Sequence, residues 1–223
     1  MKSSLPLILT LASLALCTSA SDAALVAYWN FNGLSITGAA APGSGDVPSS
    51  VKTDQGTGTV GLTGWGGTID DFAGTTDNAI SLDPAGASLS LIAGSSNSGN
   101  NTSITLQFPM TGLQNPVLTF ATQGTGTGFN SNQIAYSTDG TNFTDFGPAY
   151  APPSSFGLQT IDFSSADALD GTATAFLRIT FSGATSPSGN NRIDNIQIQA
   201  VPEPAAALLG GLGFLMLLRR RRA

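Results

Sequence analysis

The sequence predicts an all-β protein built as one antiparallel β-sandwich, with a signal helix before it and a short transmembrane helix after it. Between residues 25 and 200, apolar and polar residues alternate with a period of two in short runs, as in half-buried strands. Clusters of Gly, Asn, Ser and Pro, which favour turns, separate these runs. The same range contains no sustained helical stripe. Two facing antiparallel sheets are therefore expected.

Ten segments of residues 25–200 are candidate strands. They are Leu25–Phe31, Ala79–Leu82, Ser88–Ile92, Ser103–Phe108, Pro116–Thr122, Gln133–Ser137, Asn142–Phe146, Leu158–Phe163, Thr174–Phe181 and Arg192–Val201. In Thr174–Phe181, Leu177 and Ile179 share one face, whereas Arg178 and Thr180 share the other. No repeat recurs at a fixed period, so a solenoid is disfavoured.

The N-terminal residues 1–23 have the features of a secretory signal peptide. A basic start at Lys2 precedes an apolar stretch, Leu5–Cys17, and small residues suitable for cleavage follow, so that the mature chain begins near Ser21 or Ala24. Cys17 also suggests a lipoprotein, but Leu16 places a bulky residue where lipoprotein signals need a small one. The sequence therefore predicts export across the inner membrane.

The C-terminal residues 201–223 combine three features in a fixed order. The segment begins with Val201, Pro202, Glu203 and Pro204, continues with the apolar residues 205–218, and ends with Arg219, Arg220, Arg221, Arg222 and Ala223. As a helix, the apolar stretch would be roughly 21 Å long, shorter than the roughly 30 Å hydrocarbon core of a bilayer. The arginines belong on the cytoplasmic side and extend the reach of a short span. A transient span is at least as plausible as a permanent anchor.

This C-terminal pattern resembles the PEP-CTERM sorting domain of Gram-negative bacteria, which is also catalogued as an ice-binding-protein C-terminal domain. The resemblance covers only residues 201–223. It implies recognition by an exosortase in the membrane, cleavage near Pro202-Glu203-Pro204, and delivery to the cell envelope, the outer surface or the medium. The alternative is an ordinary tail anchor that follows a Pro-Glu-Pro sequence. The family name is no evidence of ice binding.

The charge of residues 25–200 argues against nucleic acid as a partner. Lys52, Arg178 and Arg192 are the only cations in this range and are opposed by twelve aspartates, which gives a formal charge of −9. Nucleic-acid binding is disfavoured because phosphate contacts need clustered Lys and Arg. An acidic surface favours solubility and divalent cations.

Missing residue types exclude several catalytic mechanisms. The chain has no histidine, its one cysteine lies in the signal peptide, and its one glutamate is Glu203. Serine–histidine hydrolysis, thiol chemistry and zinc ligation by His or Cys are therefore excluded for residues 25–200. Two classes remain: a non-enzymatic surface or extracellular-matrix protein that binds exopolysaccharide through loop aromatics, and a secreted Asp-dependent glycan hydrolase or lyase.

One hairpin is expected within Gln133–Phe146. Asp139-Gly140 suits a tight turn that requires positive φ. The segment resembles a strand pair of discoidin-like and other galactose-binding-like jelly rolls, in which a Tyr-Ser-x-Asp-Gly-x-x-aromatic pattern recurs. The resemblance implies that the sandwich is a jelly roll.

The last candidate strand contains an aspartate among apolar residues. Alternation places Asp194 on the same face as Ile196 and Ile198, where an unpaired carboxylate would be costly. The segment resembles the terminal strand of carbohydrate-binding-module jelly rolls. That resemblance implies a structural Ca²⁺ joining Asp194 and Asn32 through oxygen ligands. The alternative is that Asp194 caps backbone N–H groups or pairs with Arg192 or Arg178.

Two of three further features allow two interpretations each. Trp65, between glycines, is either a sugar-stacking platform on a loop or a plug at one end of the sandwich. Trp29 is expected in the core. Asp70-Asp71 is either a metal-binding or acid/base pair, or an exposed turn.

Overall fold

The computed structural model describes residues 22–203 and shows a sandwich of two antiparallel sheets, which confirms the predicted all-β sandwich but does not test the two predicted flanking helices. Residues 1–21 and 204–223, with most of both predicted sorting segments, lie outside the described part. The described strands are β1 Ala24–Trp29, β2 Ser50–Lys52, β3 Gln55–Gly56, β4 Thr59–Gly61, β5 Thr68–Asp70, β6 Leu89–Ile92, β7 Thr102–Phe108, β8 Leu113–Gly124, β9 Ser131–Ser137, β10 Thr144–Asp145, β11 Gly157–Asp162, β12 Ala175–Ser182 and β13 Asn190–Pro202. Two short 3-10 turns, Ser95–Asn97 and Asp167–Leu169, complete the described elements.

The two sheets differ in their strand order. Sheet A has the order β11-β8-β13-β1-β3, and β6 pairs with β13 while β5 pairs with β6. Sheet B has the order β10-β9-β12-β7-β4-β2. Strands that are neighbours in a sheet are thus often distant in the chain. The described helical turns are too short to span a membrane.

The core lies between the sheets and is formed mainly by one face of the longer strands. Trp29 of β1 is fully buried there, as predicted, and its Nε1–H donates to the carbonyl oxygen of Val51 at 3.3 Å. Leu177, Ile179 and Phe181 of β12 are also fully buried. Apolar burial of this kind contributes about 25 cal/mol for each Å² removed from water and is the main stabilising term of the fold.

The segment 71–88 differs from the predicted structure. Ala79–Leu82, a candidate strand, forms turns instead, and Asn78 and Ser81 have φ angles of 61° and 58°. Such positive φ values lie outside the β region and interrupt a regular strand. We call residues 71–88 the strap because they cross the outer face of sheet A.

A β-bulge in β13 changes the predicted face of Asp194. Asp194 pairs with Ala121 and Gln197 with Thr119, so one extra residue lies in β13, at Asn195, whose φ is 49°. Ile193 and Ile196 consequently both face the core, and Asp194 faces the strap. The prediction that Asp194 shares the face of Ile196 and Ile198 was therefore wrong, although Asp194 is fully buried.

Candidate functional site

The strap is hydrogen-bonded to the centre of the outer face of sheet A. The side-chain amide of Asn78 donates to Thr119 Oγ1 at 3.1 Å and to the Asn195 carbonyl oxygen at 2.7 Å. In return, Gln197 Nε2 donates to the Asn78 carbonyl oxygen at 2.6 Å. These bonds attach the strap to the middle of the sheet.

Asn195, the bulge residue, is the main polar contact between β13 and the strap. Its side-chain amide donates to the carbonyl oxygens of Thr75 and Asp77 at 2.7 and 2.9 Å. Its Oδ1 accepts the phenolic O–H of Tyr28 at 2.7 Å, and burial raises the pKa of that phenol. The bulge thus places one side chain where it bonds two strap carbonyl groups and the buried hydroxyl of Tyr28.

The Asp194 carboxylate accepts hydrogen bonds from two backbone N–H groups. Its Oδ2 accepts the N–H of Thr75 at 2.7 Å and its Oδ1 accepts the N–H of Asn195 at 2.8 Å. Burial raises the pKa of this carboxyl to about 7, and the two hydrogen bonds oppose that shift. Arg192 instead donates to the Ala73 carbonyl oxygen at 3.3 Å, and Arg178 lies in the other sheet.

Three oxygens surround Gly74, which is itself a residue of the strap. A Cβ atom placed on Gly74 would collide with Asp194 Oδ2 and with the carbonyl oxygens of Ala85 and Ala87. One buried carboxylate and two carbonyls are oxygen ligands of the kind that Ca²⁺ takes. Within residues 22–203 no three acidic, His or Cys side chains gather, so a cation here would depend on these carbonyls. The chemical type of these oxygens matches that of Ca²⁺ ligands, and Asp194 Oδ2 also accepts the N–H of Thr75.

Asn32, the other residue predicted to hold calcium, contacts the same part of the strap. Its Oδ1 accepts the N–H of Ala87 at 3.0 Å, and its Nδ2 donates to the Pro84 carbonyl oxygen at 3.1 Å. The structure thus brings Asn32 and Asp194 to one segment, but the Asn32 oxygen is engaged by the backbone. Asn32 positions the carbonyl groups of the strap.

Trp65 lies inside one end of the sandwich. Only 4% of its surface is exposed, and its ring packs edge-on against Phe129 and Phe181 with centroid distances of 5.2 and 5.4 Å. Its Nε1–H donates to the Thr68 carbonyl oxygen at 3.1 Å. Neither ring face is available to a sugar. Trp65 therefore plugs one end of the sandwich and does not form a sugar-stacking platform.

Asp70 and Asp71 bind backbone at the start of the strap. Asp71 Oδ2 accepts the N–H of Ile36 at 3.0 Å, and Asp70 Oδ1 accepts the N–H of Asp71 at 2.9 Å. Both carboxylates thus have a structural role in positioning the chain.

Among residues 22–203, no segment comparable to the strap crosses the outer face of sheet B. On β12, Phe176, Arg178 and Thr180 point outward and are half-buried, in alternation with core residues. Their register partners add small polar groups to the same surface. We call this surface the open face; it comprises Ser103, Thr105, Gln107, Gln133, Phe143, Phe176, Arg178 and Thr180, whereas the register partners Ala135 and Ser137 are buried.

The predicted hairpin positions an aromatic ring over the open face. Asp139 accepts hydrogen bonds from Asn142 Nδ2 and from the backbone N–H groups of Thr141 and Asn142, each at 2.8 Å. These bonds hold the pKa of the Asp139 carboxyl well below its usual range. The turn they stabilise places the Phe143 ring centroid 4.1 Å from the guanidinium carbon of Arg178.

Gly140 keeps the turn close to the sheet. It has a φ of 72°, and a Cβ atom there would lie 3.1 Å from the ring of Phe176. Any other residue would therefore be strained and would press on that ring. Phe143, Arg178 and Phe176 thus form one cluster, which we call the aromatic–arginine cluster.

A pocket of about 240 Å³ lies at the edge of the open face. Gln107 belongs to both, since it pairs with Phe176 on one side and with Thr59 on the other. The pocket is lined by Thr57, Gly58, Thr59, Gln107, Phe108, Pro109, Ala173 and Thr174. The aromatic–arginine cluster and the pocket therefore share one elongated surface.

The sequence contained a signal for this surface. Alternation placed Arg178 and Thr180 on the polar side of β12, and Phe176 is an apolar residue on that same side. The contact with Phe143 could not be read from the sequence, because it depends on how the hairpin folds over β12.

The predicted sorting residues are only partly described. Val201 and Pro202 belong to β13, and Glu203 follows it as an exposed residue. Pro204, Arg219, Arg220, Arg221 and Arg222 lie outside the described residues.

No family model and no curated protein sequence matches the chain. Among solved structures, similar folds include carbohydrate-binding modules. A family 61 module in complex with β-1,4-galactotriose is 9% identical with a TM-score of 0.34, over 59% of this chain and 79% of that one. Tandem family 22 modules of Xyn10C from Paenibacillus barcinonensis are 10% identical with a TM-score of 0.45, over 84% of this chain and 49% of that one.

An enzyme domain is also similar in fold. The enzymatically active domain of tailspike protein 4 from bacteriophage CBA120 is 14% identical with a TM-score of 0.36, over 69% of this chain and 19% of that one. Likenesses of this size do not assign a ligand or a reaction to the present chain.

Proposed function

We propose that the protein is an exported, non-enzymatic surface or extracellular-matrix protein whose sandwich binds polysaccharide through the open face. The observation that carries this proposal is the aromatic–arginine cluster, which lies on a sheet face otherwise formed mainly by Ser, Thr and Gln. Aromatic rings supply apolar contact area, and the surrounding polar groups supply directional hydrogen bonds.

The chemistry of the face suits a sugar polymer. Sugar rings have an apolar C–H face that packs on an aromatic ring and a rim of hydroxyl groups that donate and accept hydrogen bonds. The terminal guanidinium N–H groups of Arg178 are hydrogen-bond donors. Thr105 and Gln107 offer both donors and acceptors beside it. An elongated face with a pocket at its edge accommodates several units of a chain.

A structural Ca²⁺ beneath the strap is the second part of the proposal. Asp194 and the carbonyl oxygens of Ala85 and Ala87 would hold it, and Asn32 would keep the strap in place. The ion would neutralise a buried carboxylate and link β13 to the strap. It would have no part in binding the polysaccharide.

Delivery follows the sequence signals. The signal peptide directs export, and the sorting segment is recognised by an exosortase in the membrane, which places the sandwich in the cell envelope or outside the cell. Replacing all four arginines, Arg219 to Arg222, by alanine should change where the protein accumulates in a host that has an exosortase. Unchanged surface delivery would contradict the sorting assignment.

Binding is tested with residues 24–203, which contain every described strand. A glycan array should identify at least one polysaccharide ligand, and isothermal titration should confirm it. The double variant Phe143→Ala/Arg178→Gln should lose binding while its unfolding midpoint stays within a few degrees of the parent. The proposal fails if the double variant binds the same polysaccharide with the parent's affinity. Incubation with that polysaccharide should release no shorter products.

A further inference from the structure

The first residues of the predicted sorting motif are part of the sandwich. Val201 pairs with Gln114 and Pro202 with Leu113, at the start of β8. The N–H of Glu203 then donates to the carbonyl oxygen of Gly112 at 2.9 Å. The last described residues thus continue the sheet instead of leaving it.

The start of β8, which pairs with these residues, is itself fixed by hydrogen bonds. The N–H of Leu113 donates to the Met110 carbonyl oxygen at 2.9 Å, and the Leu113 carbonyl oxygen accepts the N–H of Gly171 at 2.9 Å. Asp170 Oδ1 accepts the N–H of Asn115 at 2.8 Å. Residues 112–114 therefore present a fixed edge against which the end of β13 lies.

The side chain of Glu203 also contacts the body of the sandwich. A Cβ atom on Gly171 would lie 2.9 Å from Glu203 Oε1, and Gly171 has a φ of 64°. A larger residue at this position would be strained and would displace the carboxylate. We call Gly112, Leu113, Gln114 and Gly171 the docking notch, since they receive Val201–Glu203.

We propose that the sandwich itself binds its sorting motif, and that Val201–Glu203 must leave the docking notch before the motif is processed. This inference rests on the proposed sorting by an exosortase. Processing enzymes commonly bind an extended peptide by pairing with its backbone. In the docked state the Glu203 N–H is already bonded to Gly112, so that pairing requires the end of β13 to detach.

Cleavage then depends on how often the notch opens. A peptide bond of the motif is broken, its acyl carbon passes to the enzyme's nucleophile, and the new amine leaves with the apolar segment. The acyl group is then transferred to water or to an acceptor amine. When opening and closing are fast, the rate of such a reaction follows the population of the open state. A chain that cannot open should be processed slowly.

Hydrogen exchange tests the docked state independently of any exosortase. In the full chain in detergent, the Glu203 amide should exchange at least tenfold more slowly than its intrinsic rate. Gly171→Ala, which presses on the Glu203 carboxylate, should accelerate this exchange, whereas Gly126→Ala, in a loop with free space around it, should not. A Glu203 amide that exchanges at its intrinsic rate in the parent chain overturns the proposal.

A reversible disulfide tests the effect on processing. Gln114→Cys/Val201→Cys places two thiols at directly paired positions of an antiparallel ladder, in a chain whose natural cysteine lies in the signal peptide. In membranes that contain an exosortase, mass spectrometry should show tail loss at least tenfold slower in the oxidised variant than in the reduced one. The single variants Gln114→Cys and Val201→Cys should be unaffected by reductant.

The outcomes separate the two proposals. Equal rates for the oxidised and reduced double variant overturn the docking requirement while leaving the sorting assignment intact. Absence of processing in the parent and in the single variants contradicts the sorting assignment, and the exchange of the Glu203 amide then still decides whether the sandwich holds the motif.

Discussion

The guanidinium carbon of Arg178 lies 4.1 Å from the centroid of the Phe143 ring, so a strand residue and a turn residue form one contact on the outer face of sheet B. Stacking of this kind is worth about 0.5–1 kcal/mol at exposed sites. It also fixes the orientation of both side chains, and a preorganised surface binds a ligand with less loss of side-chain freedom.

The first prediction concerns this contact. Phe143→Ala should lower polysaccharide affinity about tenfold, because it removes a stacking surface and frees Arg178 to move. Isothermal titration gives the affinity, and calorimetry should show little change in the unfolding midpoint. Leu158→Ala is the matched control, since Leu158 is 60% exposed on sheet A. An equal loss in both variants would contradict the assignment of the open face.

The second prediction concerns calcium. Addition of 1 mM Ca²⁺ to chelated protein should raise the unfolding midpoint by about 5 °C or more, as expected for an ion in large excess over its Kd that binds only the folded state. Asp194→Asn should abolish this shift, because it removes the only carboxylate among the three oxygens around Gly74.

Asp145→Asn, at an exposed strand position in sheet B, is the control and should keep the full shift. An unchanged midpoint in the parent protein on adding Ca²⁺ would rule out the structural ion. Asp194 would then be explained by its two backbone hydrogen bonds alone.

The third prediction contrasts two buried asparagines. The side-chain oxygen and nitrogen of Asn132 are buried without a hydrogen-bond partner among the described residues. Asn132→Leu should therefore be neutral or should raise the free energy of unfolding by about 1 kcal/mol. Asn191 instead bonds both the N–H and the carbonyl oxygen of Phe129, at 3.1 and 2.9 Å. Asn191→Leu should therefore cost about 2 kcal/mol or more.

Urea unfolding of both variants measures these differences. A clear loss of stability in Asn132→Leu would show that a buried water bonds this side chain in solution.

The fourth prediction concerns pH. The Asp139 carboxyl has a folded-state pKa well below its ordinary value of 3.8, with the hydrogen bond from Asn142 as the largest cause. Its contribution to the hairpin is therefore complete above about pH 4 to 5 and is lost as the pH falls through the folded-state value. Asn142→Ala should raise this pKa toward 3.8. An NMR titration of the Asp139 carboxyl carbon measures both values, and identical midpoints would contradict the prediction.

The longer strands could be predicted because alternation and burial agree in them. Nine of the ten candidates overlap a described strand, and Ser103–Phe108 differs from β7 by one residue. Strands β2 to β5 were not predicted, since each has only two or three residues and lies among glycines and threonines. So short a run has no period to detect.

The candidate sites were harder to predict for three physical reasons. Asp194 faces the strap because one bulge residue reverses the alternation, and no local pattern marked Asn195 as a bulge. Trp65 between glycines allowed two interpretations, and only its packing against two aromatic rings from distant segments distinguishes them. The contact of Phe143 with Arg178 depends on how the hairpin folds over β12. All three features depend on tertiary contacts, which sequence periodicity does not contain.

The alternation along β12 has a consequence for how such a protein diversifies. Phe176, Arg178 and Thr180 face outward, and each is followed by a fully buried residue that faces the core. Outward side chains can therefore be exchanged with small effects on folding, because the inward neighbours keep the sheets together. A few substitutions on this one face could therefore change its chemistry while the fold stays the same.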